Sequence, residues 1–261
     1  MEIQYFKNYS PSLSRDMELK VWGHAGKPVL IIPCQDGRFY DFENFGMIDV
    51  WRPWIEAGKV KVFSVDTVDP ETWSNKYGDS GWRSWWYEQW IHYLVKEVAP
   101  FMQAMNMERN HREETPGILV FGCSLGATHA ANLYFRFPDV FDNLLALSGL
   151  YDASYGFGNY MDELLYYNSP VTFLPNMPQN HPFIELYNQR KAVICVGTGP
   201  WEVPDMTRRL DEILKSKDIH IWVDYWGNDV SHDWYWWFRQ VEYFLPFLLD
   251  SSEEADAKED M

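Results

Sequence analysis

A serine with a glycine two residues away on either side opens the chemistry of this chain: Gly122-Cys123-Ser124-Leu125-Gly126. A serine hydroxyl is a weak nucleophile until a base takes its proton, and the base in turn needs an acid to orient it. The pentapeptide follows an apolar run of strand length, Gly117-Ile118-Leu119-Val120-Phe121, and leads into a helix-compatible segment from Ala127 to Phe137 that stops at Pro138. Strand, serine and helix in that order make a nucleophile elbow. The turn is so tight that side chains beside the serine would collide, which explains the glycines, and the hydroxyl stands out at the mouth of a sheet. The backbone N–H of Leu125, at the helix N-terminus, is then placed to face a developing oxyanion.

In the hydrolase chain order of serine, acid, histidine, the base comes last. Of seven histidines, His24, His92 and His111 precede the serine, and His129 lies in the helix after the elbow, where packing or solvation suits it better. His181 falls in a loop and His220 in a strand. His232 sits in the polar loop Gly227-Asn228-Asp229-Val230-Ser231-His232-Asp233, between the last strand and the last helix, and is the candidate general base. The acid is expected just after the strand ending at Val196-Gly197. Glu202 is favoured there and Asp205 is the alternative, although Asp205 also suits the N-cap of the helix that follows. The second oxyanion donor is expected in the loop after Val29–Ile32, from the backbone N–H of Gln35 or of Asp36. Arg38 in the same loop suits either an anionic substrate group or a structural salt bridge. Trp201, Trp234 and the pair Tyr166-Tyr167 suit either an aromatic substrate pocket or ordinary packing.

The elements that must position these groups alternate in type. Met17–Gly23 alternates apolar and polar residues like a half-buried strand, whereas Pro28–Pro33 and Val60–Val65 read as strands covered on both faces. An amphipathic helix is expected over Ser84–Val98, ending at Pro100. After the elbow come a strand at Leu144–Gly149, loops and short helices over Leu150–Gln189, a strand at Ala192–Gly197 and a helix at Met206–Ser216. A strand at Ile219–Tyr225 and a helix at Trp234–Leu249 close the series. The expected fold is α/β: an α/β-hydrolase fold with a mostly parallel central sheet and helices on both faces, with the ligand crevice at the strands' carboxyl ends.

The 261 residues suit one such domain over 1–250, followed by an acidic tail over 251–261 without an apolar face. A net charge of −16 argues against nucleic acid or an anionic membrane surface as partner, because like charges repel. Cys34, Cys123 and Cys195 form no C-x-x-C pair, so neither a disulfide framework nor a thiolate zinc site is expected. No secretory signal and no membrane-spanning run is visible, which points to a cytoplasmic protein. The oligomeric state is not legible, so a homo-oligomer stays open.

The chain resembles the esterase family of the α/β-hydrolase superfamily, which includes esterase D-like S-formylglutathione hydrolases, feruloyl esterases and mycolyltransferases. The matching pieces are Gly122-Cys123-Ser124-Leu125-Gly126, Phe135-Arg136-Phe137-Pro138-Asp139-Val140-Phe141 with the strand end Leu147-Ser148-Gly149, and Ser231-His232-Asp233-Trp234 with Trp237. The resemblance runs over about residues 15 to 249. It implies a Ser-His-acid triad acting on carboxylic esters through an acyl-enzyme, with no metal or other cofactor, Ser124 as nucleophile and His232 as base. The chain departs from the family where Pro200 and Trp201 stand between the strand end and Glu202. The expected activity is a serine esterase acting on small-molecule esters or thioesters. The alternatives are an acyltransferase using the same triad and a hydrolase fold kept as a catalytically silent binding module.

Overall fold

The computed structural model describes residues 1–110 and 117–249, the side chains of 107–110 excepted. His111 and the acidic tail from Asp250 lie outside the described residues. Eight strands join in one sheet: β1 (Ile3–Ser10), β2 (Arg15–Trp22), β3 (Lys27–Ile32), β4 (Val60–Val65), β5 (Ile118–Cys123), β6 (Phe141–Leu147), β7 (Lys191–Val196) and β8 (Trp222–Tyr225). Their order across the sheet is β1-β2-β4-β3-β5-β6-β7-β8. β2 runs antiparallel to both of its neighbours, and every pairing from β4 to β8 is parallel. The helices are α1 (Asp41–Asn44), α2 (Met47–Glu56), α3 (Ser80–Tyr93), α4 (Ala99–Asn110), α5 (Leu125–Arg136), α6 (Ser154–Phe157), α7 (Glu163–Tyr167), α8 (Pro170–Phe173), α9 (Pro182–Asn188), α10 (Pro204–Ser216) and α11 (Trp234–Leu249).

The period of two along each strand divides the core into two layers. In β3, Val29 and Ile31 face a layer completed by Trp51 and Ile55 of α2 and by Val241 and Phe244 of α11. Leu30 and Ile32 face the opposite layer, with Tyr87 and Trp90 of α3, Leu133 of α5 and Leu210 of α10. Each such side chain, wholly removed from water, contributes about 1.5–3 kcal/mol. Continuous apolar runs in the parallel strands are the consequence of having helices on both sides. Among the described residues no helix is long and apolar enough to cross a membrane.

Several elements depart from the sequence reading, each for a physical reason. β1 is an additional strand; as the edge strand beside β2 it is largely exposed, so its apolar alternation is weak. α2 is an additional helix that tolerates Pro53 in its interior. The helix expected to end at Pro100 does not end there. A π-helical turn over Leu94–Val98 puts i→i−5 bonding just ahead of the proline, with the Ala99 N–H on the Leu94 carbonyl, and the chain runs on into α4 with Pro100 in its first turn. β6 starts at Phe141 and stops at Leu147 because Ser148 turns the chain with φ of 59°. The last strand is shorter than expected, pairing with β7 only over Trp222–Tyr225.

Candidate active site

β5 delivers Ser124 to the carboxyl edge of the sheet, and α5 starts at the next residue. Ser124 has φ of 58° and ψ of −128°, a strained backbone for a non-glycine residue, held in place by its N–H donating to the Leu147 carbonyl at 2.9 Å. Both motif glycines are required by close approach. A Cβ on Gly122 would lie 2.3 Å from the Gly126 carbonyl, and one on Gly126 would lie 2.3 Å from the Pro33 oxygen. The second contact seats the elbow against the loop after β3. Leu125, as the first helical residue, has an N–H with no intrahelical acceptor. Cys123 is buried in the α2/α11 layer, away from the crevice, and burial pushes its thiol well above the ordinary range.

His232 reaches Ser124 from the loop between β8 and α11, its Nε2 lying 2.9 Å from the serine Oγ. Its Nδ1 lies 3.2 Å from Oε2 of Glu202. The loops carrying the acid and the histidine are joined through their backbones. Gly199 N–H donates to the Val230 carbonyl at 3.0 Å, and His232 N–H donates to the Pro200 carbonyl at 3.0 Å. A Cβ on Gly197 would lie 2.3 Å from the Val230 oxygen, so only glycine allows that approach. Asp233 accepts from the N–H of Trp236 and so caps α11 directly after the histidine. The ring of Trp237 stands edge-on to His232 at 4.9 Å.

Of the two acid candidates, the structure brings Glu202 to the histidine and leaves Asp205 outside. A turn closed by Glu202 N–H on the Gly199 carbonyl has Pro200 at its second position and Trp201 at its third, with φ of 68°. This is the pattern of a type II turn, with Trp at the place that favours glycine. It swings Glu202 inward, its side chain only 1% exposed, and leaves Trp201 88% exposed at the rim. Oε1 of Glu202 accepts from Ser148 Oγ at 2.7 Å and from Gly197 N–H at 3.3 Å, and Ser148 Oγ in turn accepts from Trp237 Nε1 at 3.0 Å. Asp205 points to solvent and pairs with Arg208. It is not the N-cap of α10 either: the helix starts at Pro204, Val203 occupies the cap, and Asp205 lies inside the first turn.

The loop after β3 treats its two oxyanion candidates differently. The Asp36 N–H donates to Asp69 Oδ2 at 3.3 Å, whereas the side chain of Gln35 is held by Ser74 Oγ at 2.8 Å and by the Tyr155 hydroxyl at 3.3 Å. Arg38 takes its structural alternative. It donates to Asp66 and to Glu18, each at 2.8 Å, so its guanidinium is committed within the fold. Trp234 is packed by Phe42, Phe45, Trp237 and Phe238. Tyr166 and Tyr167 line a different cavity with Phe173, Met177 and His181. His129 is fully buried, His181 caps α9, and exposed His220 pairs with Asp218.

Sequence reasoning did not single out Ser148, Trp237 or Asp69 for these supporting contacts. Ser148 is 54 residues from Glu202 and Asp69 is 33 from Asp36, so no local spacing announces either pair. The left-handed φ of Ser148 would have been a signal, but only coordinates reveal it.

Comparison with known proteins completes the picture. A family model described as "Putative esterase" matches residues 10–241. The chain belongs to that family. Similar solved structures include a ferulic acid esterase with a TM-score of 0.71 and 14% identity, covering 95% of this chain and 98% of its own. An S-formylglutathione hydrolase from Agrobacterium tumefaciens has a TM-score of 0.69 and 14% identity, with 95% of each chain covered. A fluorophosphonate-binding serine hydrolase from Staphylococcus aureus has a TM-score of 0.68 and 15% identity, covering 96% of this chain and 99% of its own. At these identities the likeness shows a shared α/β-hydrolase fold. A search of curated protein sequences returns no match.

Proposed function

We propose that this member of the esterase family hydrolyses small carboxylic esters or thioesters through an acyl-enzyme on Ser124. The observation that carries the reading is the continuous line from Ser124 Oγ to His232 Nε2 at 2.9 Å and from Nδ1 to Glu202 at 3.2 Å. In the first half-reaction His232 takes the hydroxyl proton as Oγ attacks the carbonyl carbon. Glu202 holds the imidazole with its Nδ1–H inward and steadies the imidazolium that forms. The negative charge passes to the carbonyl oxygen, where the N–H groups of Leu125 and Gln35 receive it. His232 then gives its proton to the departing alcohol or thiol. In the second half-reaction water repeats the sequence on the acyl-serine.

Gln35 is assigned the second N–H because the Asp36 N–H is already directed at Asp69. Exposed Trp201, one residue before the acid, offers an apolar face to the substrate at the crevice rim. The relatives named for ferulic acid esters and for S-formylglutathione support oxygen and sulfur esters as the substrate class. The test is reaction with a fluorophosphonate probe beside hydrolysis of p-nitrophenyl esters of graded acyl length. Both should be lost in Ser124→Ala. A folded wild-type protein that does neither would sink the proposal.

A further inference from the structure

Asp69 and His129 form a second carboxyl–imidazole pair, sealed inside the molecule. Both side chains are buried, with His129 Nε2 3.0 Å from Asp69 Oδ1. On the other side of the ring the Tyr87 hydroxyl lies 2.7 Å from Nδ1. Burial holds the Tyr87 phenol well above its ordinary pKa, so it keeps its proton and donates it to Nδ1. A carboxylate can only accept, so the ring N–H that meets Asp69 is the one on Nε2, and Nδ1 is left to the Tyr87 hydroxyl. Trp73, Tyr87 and Trp90 surround the ring at 5.4, 5.2 and 5.2 Å between centroids, an apolar box in which these hydrogen bonds are strengthened.

This buried chain ends at the loop after β3. Asp69 Oδ2 accepts the Asp36 N–H at 3.3 Å, and the Asp69 carbonyl accepts the Ser74 N–H at 2.9 Å. Ser74 Oγ then accepts from the Gln35 side chain, and Thr67 Oγ1 donates to the Gly37 carbonyl at 3.1 Å. Asp36 itself has φ of 60°, a conformation that needs outside support in a non-glycine residue. With the Gln35 side chain and the following peptide both tied down, its own N–H has little freedom left.

We propose that Asp69, oriented by His129 and Tyr87, is the positioning residue that aims the Gln35 N–H at the oxyanion beside Leu125. The inference rests on the reading of Ser124 as the nucleophile of an ester hydrolase. Hydrogen bonds to an oxyanion matter most where charge develops, so a misaimed donor lowers kcat and leaves ground-state binding nearly untouched.

Asp69→Asn keeps the shape but presents an NH2 to one of the two donors that Asp69 now serves. Its kcat on p-nitrophenyl acetate should fall about 10- to 100-fold, short of the loss from deleting an oxyanion-hole donor outright, with KM within about twofold of wild type. Affinity for a trifluoromethyl ketone, which adds to Ser124 as a hemiketal oxyanion, should weaken by the same factor as kcat/KM. His129→Leu should show the same pattern, whereas His129→Gln, able to offer an N–H where Nε2 stands, should recover most of the lost kcat. A folded Asp69→Asn with wild-type kcat, or with its whole loss in KM, overturns the proposal. So does a His129→Gln protein no better than His129→Leu, and that pair decides alone if Asp69→Asn does not fold. Wild-type protein inert towards both ester and fluorophosphonate would overturn the hydrolase reading, and this inference with it, before any variant is compared.

Discussion

His232 with Glu202 and His129 with Asp69 are built from the same chemistry, an imidazole against a carboxyl, yet they occupy opposite circumstances. His232 is 24% exposed and turns its far nitrogen to Ser124 at the crevice. His129 is wholly buried and turns its far nitrogen to Tyr87, whose phenol burial keeps protonated. A serine hydroxyl beside an accessible carbonyl has somewhere to send its electrons once the proton leaves; a phenol in an apolar box does not. The third partner and its access to substrate, more than the pair itself, separate the proton-transfer role proposed for His232 from the supporting role proposed for His129.

The contrast can be broken most directly at Ser124, the proposed nucleophile. Ser124→Ala should lower kcat by about 10⁴- to 10⁶-fold in ester hydrolysis while thermal unfolding changes little, and His232→Ala should do the same. Activity above about a tenth of wild type in either would remove the distinction between the two pairs. The next largest effect is expected for Glu202→Gln, about 10³- to 10⁴-fold in kcat, because the wrong tautomer of His232 is then favoured. The buried pair should answer in stability instead. His129→Leu leaves Asp69 Oδ1 and the Tyr87 hydroxyl without that partner and should cost about 2–4 kcal/mol in urea unfolding, a loss His232→Ala should not show. A His129→Leu protein as stable as wild type would mean that the buried network holds nothing.

Smaller effects sharpen the picture around the acid. Ser148→Ala removes one of the two donors to Glu202 Oε1 and the acceptor of Trp237 Nε1, so kcat should drop about 3- to 10-fold, the equivalent of one ordinary hydrogen bond. Asp205→Ala should leave turnover unchanged and shift stability by at most about 0.5 kcal/mol, because its pairing with Arg208 is solvent-exposed. Kinetics and unfolding of Glu202→Gln and Asp205→Ala side by side check both statements. An inactive Asp205→Ala would transfer the acid role away from Glu202.

Much of this architecture is legible in the order of residues. The apolar runs of β3, β4, β5 and β7 announce a sheet covered on both faces, and Gly122 to Gly126 announces the elbow, since both depend on local sterics and on a period of two. His232 is legible as a candidate from chain order together with its place in the polar loop between the last strand and the last helix. β1 and α2 escape notice because their local signals conflict with their place: β1 is an exposed edge and α2 contains Pro53. At Pro100 the local rule is overruled, because a π turn just ahead of the proline changes the bonding pattern and lets the helix continue.

What the residues cannot specify without folding is everything that depends on contact between distant segments. Glu202 and Asp205 are indistinguishable as letters in one loop. The left-handed turn at Trp201 sends one inward, and the position of Asp205 in the first turn of α10 sends the other to solvent. Arg38 is read equally well as an anion site or a salt bridge until Glu18 and Asp66 are brought to it from β2 and the end of β4. Asp69, His129 and Tyr87 have no shared motif at all, and only the fold, by bringing the turn after β4 together with α3 and α5, makes them a chain. Local sterics and hydrophobic periodicity are written into neighbouring residues, and they suffice for the tight turn at Ser124 and the layered sheet. Hydrogen-bond partnership and burial are properties of the folded whole, so the tertiary structure decides which carboxyl meets which histidine.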